Sequence, residues 1–185
     1  MKGVIVMDYL FISGSPRKKS NTDYLLNLIK SQTGGELIKL NNYSIQPCIS
    51  CWKCRKQEQC VIQDDMTNII IPKLIKSKAI IIGSPVFFNN VSAQLKPFID
   101  RTWSIKGKLK NKIGGTIVVG RKYGAESAIT AINSFYLKHE MIVANRGVHG
   151  IAFEKNEITK DKEAIQSTKN LKKRINELVK LISIL

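Results

Sequence analysis

The chain has 185 residues, 43% of them hydrophobic, and 30 Lys and Arg against 14 Asp and Glu give it a formal charge of +16. That length suits one soluble domain with a sizeable core, and no run approaches the ~18–20 apolar residues needed to cross a bilayer, which excludes a helical membrane protein. Two histidines, His139 and His149, leave almost nothing from which to build a Ser-His-Asp hydrolase or a zinc hydrolase, and each is expected at a helix end or the surface.

Met1-Lys2-Gly3-Val4-Ile5-Val6 carries one lysine and a short apolar stretch without a small-residue cleavage pattern, so a cytoplasmic, reducing location is expected, with Met7 as an alternative start. Val4 to Ile12 reads as the first strand. It runs into Ser13-Gly14-Ser15-Pro16-Arg17-Lys18-Lys19-Ser20-Asn21-Thr22, which opens a helix from Thr22 to Gln32 with Leu25, Leu26, Leu28 and Ile29 facing inward. A loop between a strand and a helix N-terminus is where unpaired N–H groups and the helix dipole favour phosphate. Ser13, Ser15, Arg17, Ser20, Asn21 and Thr22 could complete such a shell, although Ser, Asn and Thr are also ordinary turn and cap residues. No Gly-Lys-Ser/Thr follows four residues after a glycine, so the loop is not a Walker A and nucleotide hydrolysis is disfavoured.

Glu36 to Leu40 is a short second strand, and a polar, irregular insertion follows from about Asn41 to Gln63. It holds all four cysteines of the chain, Cys48, Cys51, Cys54 and Cys60. Three thiolates at three-residue steps can converge from one tight loop and a fourth can close a cubane iron–sulfur cluster; zinc, a disulfide and redox thiols are the alternatives. Val61, not proline, follows Cys60, so this is not an inserted bacterial ferredoxin module. Trp52 could shield a cluster from water or simply pack the loop.

Asp64 and Asp65 are expected to cap a helix from about Met66 to Lys76, and Ala79 to Gly83 is a fully buried strand. Pro85, Val86, Phe87, Phe88 and Asn89 then form a loop whose rings suit a flat heterocycle, with backbone N–H groups of residues 86 to 90 facing its polar edge; the two phenylalanines could instead fill core. A helix from Ser92 to Trp103, with Trp103 packed at its end, leads to a fourth strand from Thr116 to Gly120. Gly120, Arg121, Tyr123 and Gly124 could close the remaining edge of the ligand. A helix from Ala125 to Lys138, a weaker strand around Val148 to Phe153 and an amphipathic helix from Asp161 to Leu185 complete the chain, the last with Leu171, Ile175, Leu178, Leu181 and Ile182 on one stripe. Strands alternating with helices predict a single-domain α/β, flavodoxin-like three-layer sandwich, its five-stranded parallel sheet ordered 2-1-3-4-5.

These segments resemble the flavodoxin-like NADPH-dependent FMN reductase superfamily, and with the cysteine spacing they look most like its iron–sulfur flavoprotein branch. The resemblance covers nearly the whole chain. Its carriers are Gly14-Ser15-Pro16-Arg17 with Ser20-Asn21-Thr22, Gly83-Ser84-Pro85-Val86-Phe87-Phe88 with Ser92-Ala93-Gln94-Leu95-Lys96, and the four cysteines followed by Asp64-Asp65-Met66. It implies FMN, a [4Fe-4S] cluster near the flavin, and a homodimer or homotetramer. Arg121 would then lie near N1 and the C2 carbonyl, where a cation stabilises the anionic reduced flavin. Phe87 stands where the family commonly has tyrosine and Asn89 where it has glycine, so Asn89 is expected to adopt positive φ. Tyr123-Gly124-Ala125-Glu126 replaces the usual glycine-pair and Gln-Glu loop.

The leading expectation is a redox protein passing electrons between a ferredoxin-like carrier and a further acceptor. The runner-up is an NAD(P)H-dependent FMN or quinone reductase with structural or empty cysteines. Nucleic-acid binding is not expected as the main role: Lys169, Lys172, Lys173 and Lys180 are scattered along helix faces, and no arginine-rich arm is present. The positive surface instead suits acidic carriers or anionic cofactors.

Overall fold

The computed structural model describes residues 8–184. The strands are β1 (Tyr9–Ser13), β2 (Glu36–Lys39), β3 (Ala79–Pro85), β4 (Ile113–Gly120), β5 (Ile142–Val143) and β6 (Val148–Ile151). The helices are α1 (Asn21–Thr33), α2 (Cys54–Gln57), α3 (Ile71–Lys76), α4 (Leu95–Arg101), α5 (Ala125–Lys138) and α6 (Lys162–Ile182). The sheet runs β2-β1-β3-β4-β5, with β6 also paired to β4, and every pairing is parallel. This is the expected flavodoxin-like order with one difference. The fifth position is shared by two short strands, β5 beside the start of β4 and β6 beside its end. The expected start of the first strand, residues 4–7, lies outside the described residues, as does the alternative start at Met7.

Side-chain alternation along the central strands sorts the core into two layers. Leu10, Ile12, Ile80 and Ile82 face α4, α5 and the helical segment 66–76, joining Met66, Ile70, Leu74, Phe98, Ile132, Phe135 and Tyr136. Phe11 and Ile81 face the other way, onto Leu25, Leu26 and Ile29 of α1 and Leu171, Ile175 and Leu178 of α6. Because both faces are covered, β3 reads as continuous apolar sequence, the mark of an internal parallel strand.

On α6 the expected stripe is corrected at one position. Leu181 is exposed and Val179 is buried in its place. At 3.6 residues per turn, Leu181 falls about a quarter-turn off the line through Leu171, Ile175 and Leu178. The histidines also differ in setting. His139 ends α5 as expected but is buried, its Nε2 2.9 Å from Thr102 Oγ1, and burial pushes its pKa down to about 4. Among the described residues no helix is long and apolar enough to cross a membrane.

Strand β4 begins three residues earlier than the sequence pattern predicts, because Gly114 and Gly115 weaken strand propensity but answer a packing demand. A Cβ on Gly114 would stand 2.6 Å from the ring of Tyr136, and one on Gly115 would stand 2.8 Å from Ile175 Cδ1. The Tyr136 hydroxyl is fixed beneath the sheet, donating to Gly115 O at 2.7 Å and accepting from Ile82 N at 3.2 Å. Burial raises its pKa, so it stays neutral. Gly114→Val is therefore expected to lower stability by about 1–3 kcal/mol, read as a reduced thermal midpoint; an unchanged midpoint would contradict this packing.

Candidate functional site

Two cavities stand at the C-terminal side of the sheet and beside it. The first, about 160 Å³, lies beyond the ends of β1, β3 and β4 and is walled by Ser15, Arg17, Ser20, Asn21, Thr22, Pro85, Val86, Phe87, Gly120 and Arg121. Ten of the fifteen residues predicted for ligand binding therefore meet at one place. Pro16, Val119, Ala152 and Phe153 complete the wall. The last two come from the turn after β6, where the sequence reading expected strand.

The geometry of the loop between β1 and α1 explains which predicted residues face the cavity. Ser13 does not: it is fully buried, and its hydroxyl donates to Asp23 Oδ1 at 2.5 Å, so it supports the loop from behind. Ser20 Oγ accepts from Asp23 N at 3.0 Å and so caps α1. Asn21 donates to Glu154 O at 2.9 Å, while its Oδ1 is buried with no partner. A ligand hydroxyl would satisfy that acceptor. From the other side, Gly14 N donates to Gly83 O at 2.8 Å and Ser92 Oγ donates to Gly14 O at 2.6 Å. These bonds lock the loop to β3 and the start of the next segment.

Lys39 was not anticipated. Its ammonium pairs with Asp23 at 2.7 Å and donates to Arg17 O at 2.9 Å and Lys18 O at 2.6 Å. It buttresses the loop with a positive charge. The order 2-1-3 contained the signal, since it sets the last residue of β2 beside Ser13.

The aromatic loop is a tight turn. Phe87 and Asn90 exchange N–H···O bonds at 2.9 and 3.0 Å, and between them Phe88 (φ 49) and Asn89 (φ 60) are both left-handed. Asn89 thus takes positive φ as expected, and Phe88, where a bulky residue is strained, does so too. The expected row of free N–H groups over 86 to 90 is corrected. Val86 N is spent on Val119 O and the N–H groups of Phe87 and Asn90 on each other, because the chain must close the turn; Phe88 and Asn89 retain theirs. Phe88, Asn89, Tyr123 and Gly124 stand outside the cavity wall. The two loops touch, since a Cβ on Gly124 (φ 81) would lie 2.4 Å from Asn89 Oδ1. Phe88 is 104% and Tyr123 77% exposed, against 45% for Phe87, so a flat ring laid here would meet aromatic surface at the mouth of the cavity. The cavity is small beside the roughly 300–1,000 Å³ typical of whole cofactor sites, which suits a phosphate and sugar chain inside and a ring projecting from it.

The second cavity, about 340 Å³, is lined by all four cysteines with Trp52, Arg101 and Trp103. All four thiols are free. Among the described residues no three His, Cys, Asp or Glu side chains are gathered closely enough to hold a single metal ion; the sulfurs surround a space instead. The backbone around them is unusual: Ser50 (φ 52), Trp52 (φ 56) and Glu58 (φ 52) are left-handed non-glycine residues. A left-handed Trp52 followed by a right-handed Lys53 turns successive N–H groups to one side, a concavity used around phosphates and iron–sulfur sites. Cys48 Sγ accepts from Ser50 N at 3.4 Å. Burial first, and the neighbouring thiols after it, push the Cys54 thiol up. Trp52 is half exposed and meets Trp103 edge-on at 6.1 Å, so it both packs the loop and covers one side of the space.

Asp64 caps the following helical segment as expected, accepting from Met66 N and Thr67 N at 3.1 and 3.3 Å. Asp65 does not; it accepts from Ser44 N at 2.7 Å and holds the start of the insertion. The first turn after Asp65, Met66–Ile70, is a π-helix.

A family model described as NADPH-dependent FMN reductase matches residues 7–155. An iron–sulfur flavoprotein of Methanocaldococcus jannaschii is 38% identical over 192 residues, which cover 95% of this chain and 99% of the relative. An iron–sulfur flavoprotein of Methanosarcina thermophila is 33% identical over 181 residues, 92% of this chain and 94% of the relative. Among solved structures, a flavodoxin from the domain Archaea matches with a TM-score of 0.61 and 16% identity, over 94% of this chain and 99% of that one, a likeness of fold alone.

Proposed function

Because the chain belongs to the iron–sulfur flavoprotein branch of the NADPH-dependent FMN reductase family and is an FMN-dependent oxidoreductase, we propose that it couples the flavin to a [4Fe-4S] cluster held by Cys48, Cys51, Cys54 and Cys60. The observation that carries this reading is the convergence of four free thiols on one cavity beside, and separate from, the cavity at the strand ends. FMN supplies two-electron chemistry and the cluster single-electron transfer. The residues proposed to hold FMN are Ser15, Arg17, Ser20, Asn21 and Thr22 around the phosphate and sugar chain, Pro85 to Asn89 under the ring, and Gly120, Arg121, Tyr123 and Gly124 at its far edge. Ser13 and Lys39 support them from behind.

The proposed electron partner is an acidic, ferredoxin-like carrier. Arg55 lies over Trp52 at 5.7 Å, and Lys106 and Lys138 lie over Trp103 at 5.1 Å, so the aromatic cover of the cysteine cavity is ringed by cations. Such a ring steers an anionic surface toward the cavity. A homodimer or homotetramer is proposed on the exposed Phe88, Tyr123 and Phe153 at the flavin mouth, and a cytoplasmic location on four thiols suited to a reducing medium.

Anaerobically purified protein is expected to show broad absorption near ~400 nm with about four iron and four sulfide per chain, and flavin reduced faster by reduced ferredoxin than by NADPH. Rapid bleaching of the flavin by NADPH in iron-free protein would establish the pyridine-nucleotide reductase instead.

A further inference from the structure

Arg101, the last residue of α4, is only 2% exposed, and nothing in the cysteine pattern required a buried cation there. Its guanidinium is wholly engaged by the cysteine insertion and the turn after it. Nε donates to Cys60 Sγ at 3.2 Å. Nη1 donates to Gln46 O and Asp64 Oδ2, both at 2.8 Å. Nη2 donates to Asp64 Oδ1 and Thr67 Oγ1 at 3.0 Å and to Ile62 O at 3.1 Å. Gln46 precedes Cys48 and Ile62 follows Cys60, so one side chain pins both ends of the loop to α4.

We propose that Arg101 is a positioning residue for the metal centre, fixing Cys60 Sγ at the cavity wall and raising the reduction potential of the cluster bound there through its Nε–H···S hydrogen bond. The inference rests on the cluster reading above. Hydrogen bonds to ligand sulfurs are among the main controls on iron–sulfur potentials. A sulfur gains electron density when its cluster is reduced, so a fixed donor binds the reduced state more strongly. Asp64 neutralises most of the guanidinium charge, which leaves the directional hydrogen bond as the larger influence. Cys60 is thereby set apart from Cys48, whose sulfur accepts from the Ser50 backbone.

Two variants give opposite signs. Arg101→Lys keeps a cation for Asp64 but cannot present the planar fork that reaches Cys60 and Asp64 together. Asp64→Asn leaves Arg101 beside Cys60 and removes its counter-charge. Both are loaded with FMN, iron and sulfide anaerobically and titrated with electron paramagnetic resonance detection, the flavin serving as internal reference. In R101K the ratio of reduced to oxidised cluster, measured at the wild-type midpoint, should fall roughly tenfold, about 59 mV for a one-electron couple. In D64N it should rise, and the flavin should stay where it is in both.

A fully loaded R101K protein with the wild-type midpoint overturns the role of Arg101, as does a fall in D64N. R101K that holds FMN but no cluster supports the positioning, and D64N then decides the potential. If R101K does not fold, D64N decides alone. Wild-type protein that takes up no iron and sulfide overturns the cluster reading and this inference with it, whereas loaded wild type with unmoved variants overturns only the inference.

Discussion

Serine in place of any one of Cys48, Cys51, Cys54 or Cys60 should abolish the cluster and leave FMN binding within about twofold of wild type. The separation is structural. The cysteine cavity is built from residues 48–62 and 100–104, the cavity proposed for FMN from 15–22, 85–87, 119–121 and 152–153, and no residue lines both. Left-handed Ser50, Trp52 and Glu58 each cost on the order of 1–3 kcal/mol of backbone strain, which coordination of the proposed cluster would offset. Losing the cluster should therefore also loosen residues 41–63 and open them to protease, while the sheet keeps its melting behaviour. Iron, sulfide and flavin per chain, with limited proteolysis, measure this. A serine variant that lost its FMN along with its iron would show that the two sites are built as one.

The part of the molecule legible in the sequence is the part governed by short-range pattern. The buried run in β3, the loop between β1 and α1, and the spacing of the four cysteines each announce themselves within about a dozen residues, and alternating strands and helices give the parallel sheet and fit its order. What escaped depends on partners distant in sequence. Arg101 lies 41 residues from Cys60 and 37 from Asp64, and as sequence it is an ordinary basic residue ending a helix. Phe153 reaches the cavity at the strand ends because β6 stops at Ile151, two residues before the expected end. Ser13 stands behind the cavity wall for the opposite reason. Its motif places it on the loop, but a hydroxyl on the last residue of a central strand is drawn inward by a buried acceptor, Asp23.

Asp64→Ala should be the most destabilising single change in the cysteine region, at about 3–5 kcal/mol, because it strands the Arg101 guanidinium without its carboxylate. Gln46 O, Ile62 O and Thr67 Oγ1 would remain as acceptors, but none carries charge. The loss compares with a typical total of about 5–15 kcal/mol, so the variant should show either a much lower thermal midpoint or a separate early transition of the insertion. The sign of the pH dependence follows from the carboxyl. Burial works to raise the Asp64 pKa, yet the hydrogen bond and charge of Arg101, with the N–H groups of Gln46 and Thr67, outweigh it and hold the group below its ordinary 3.8. A depressed folded pKa contributes stability in full above the unfolded value and loses it as the pH falls through the folded one. The stability gap between wild type and D64A should accordingly stay constant from neutrality down to about pH 4 and narrow only below that. Denaturant melts at several pH values decide it: a gap that closed already near pH 6, where Asp64 remains ionised, would mean that the ion pair with Arg101 is not what D64A removes.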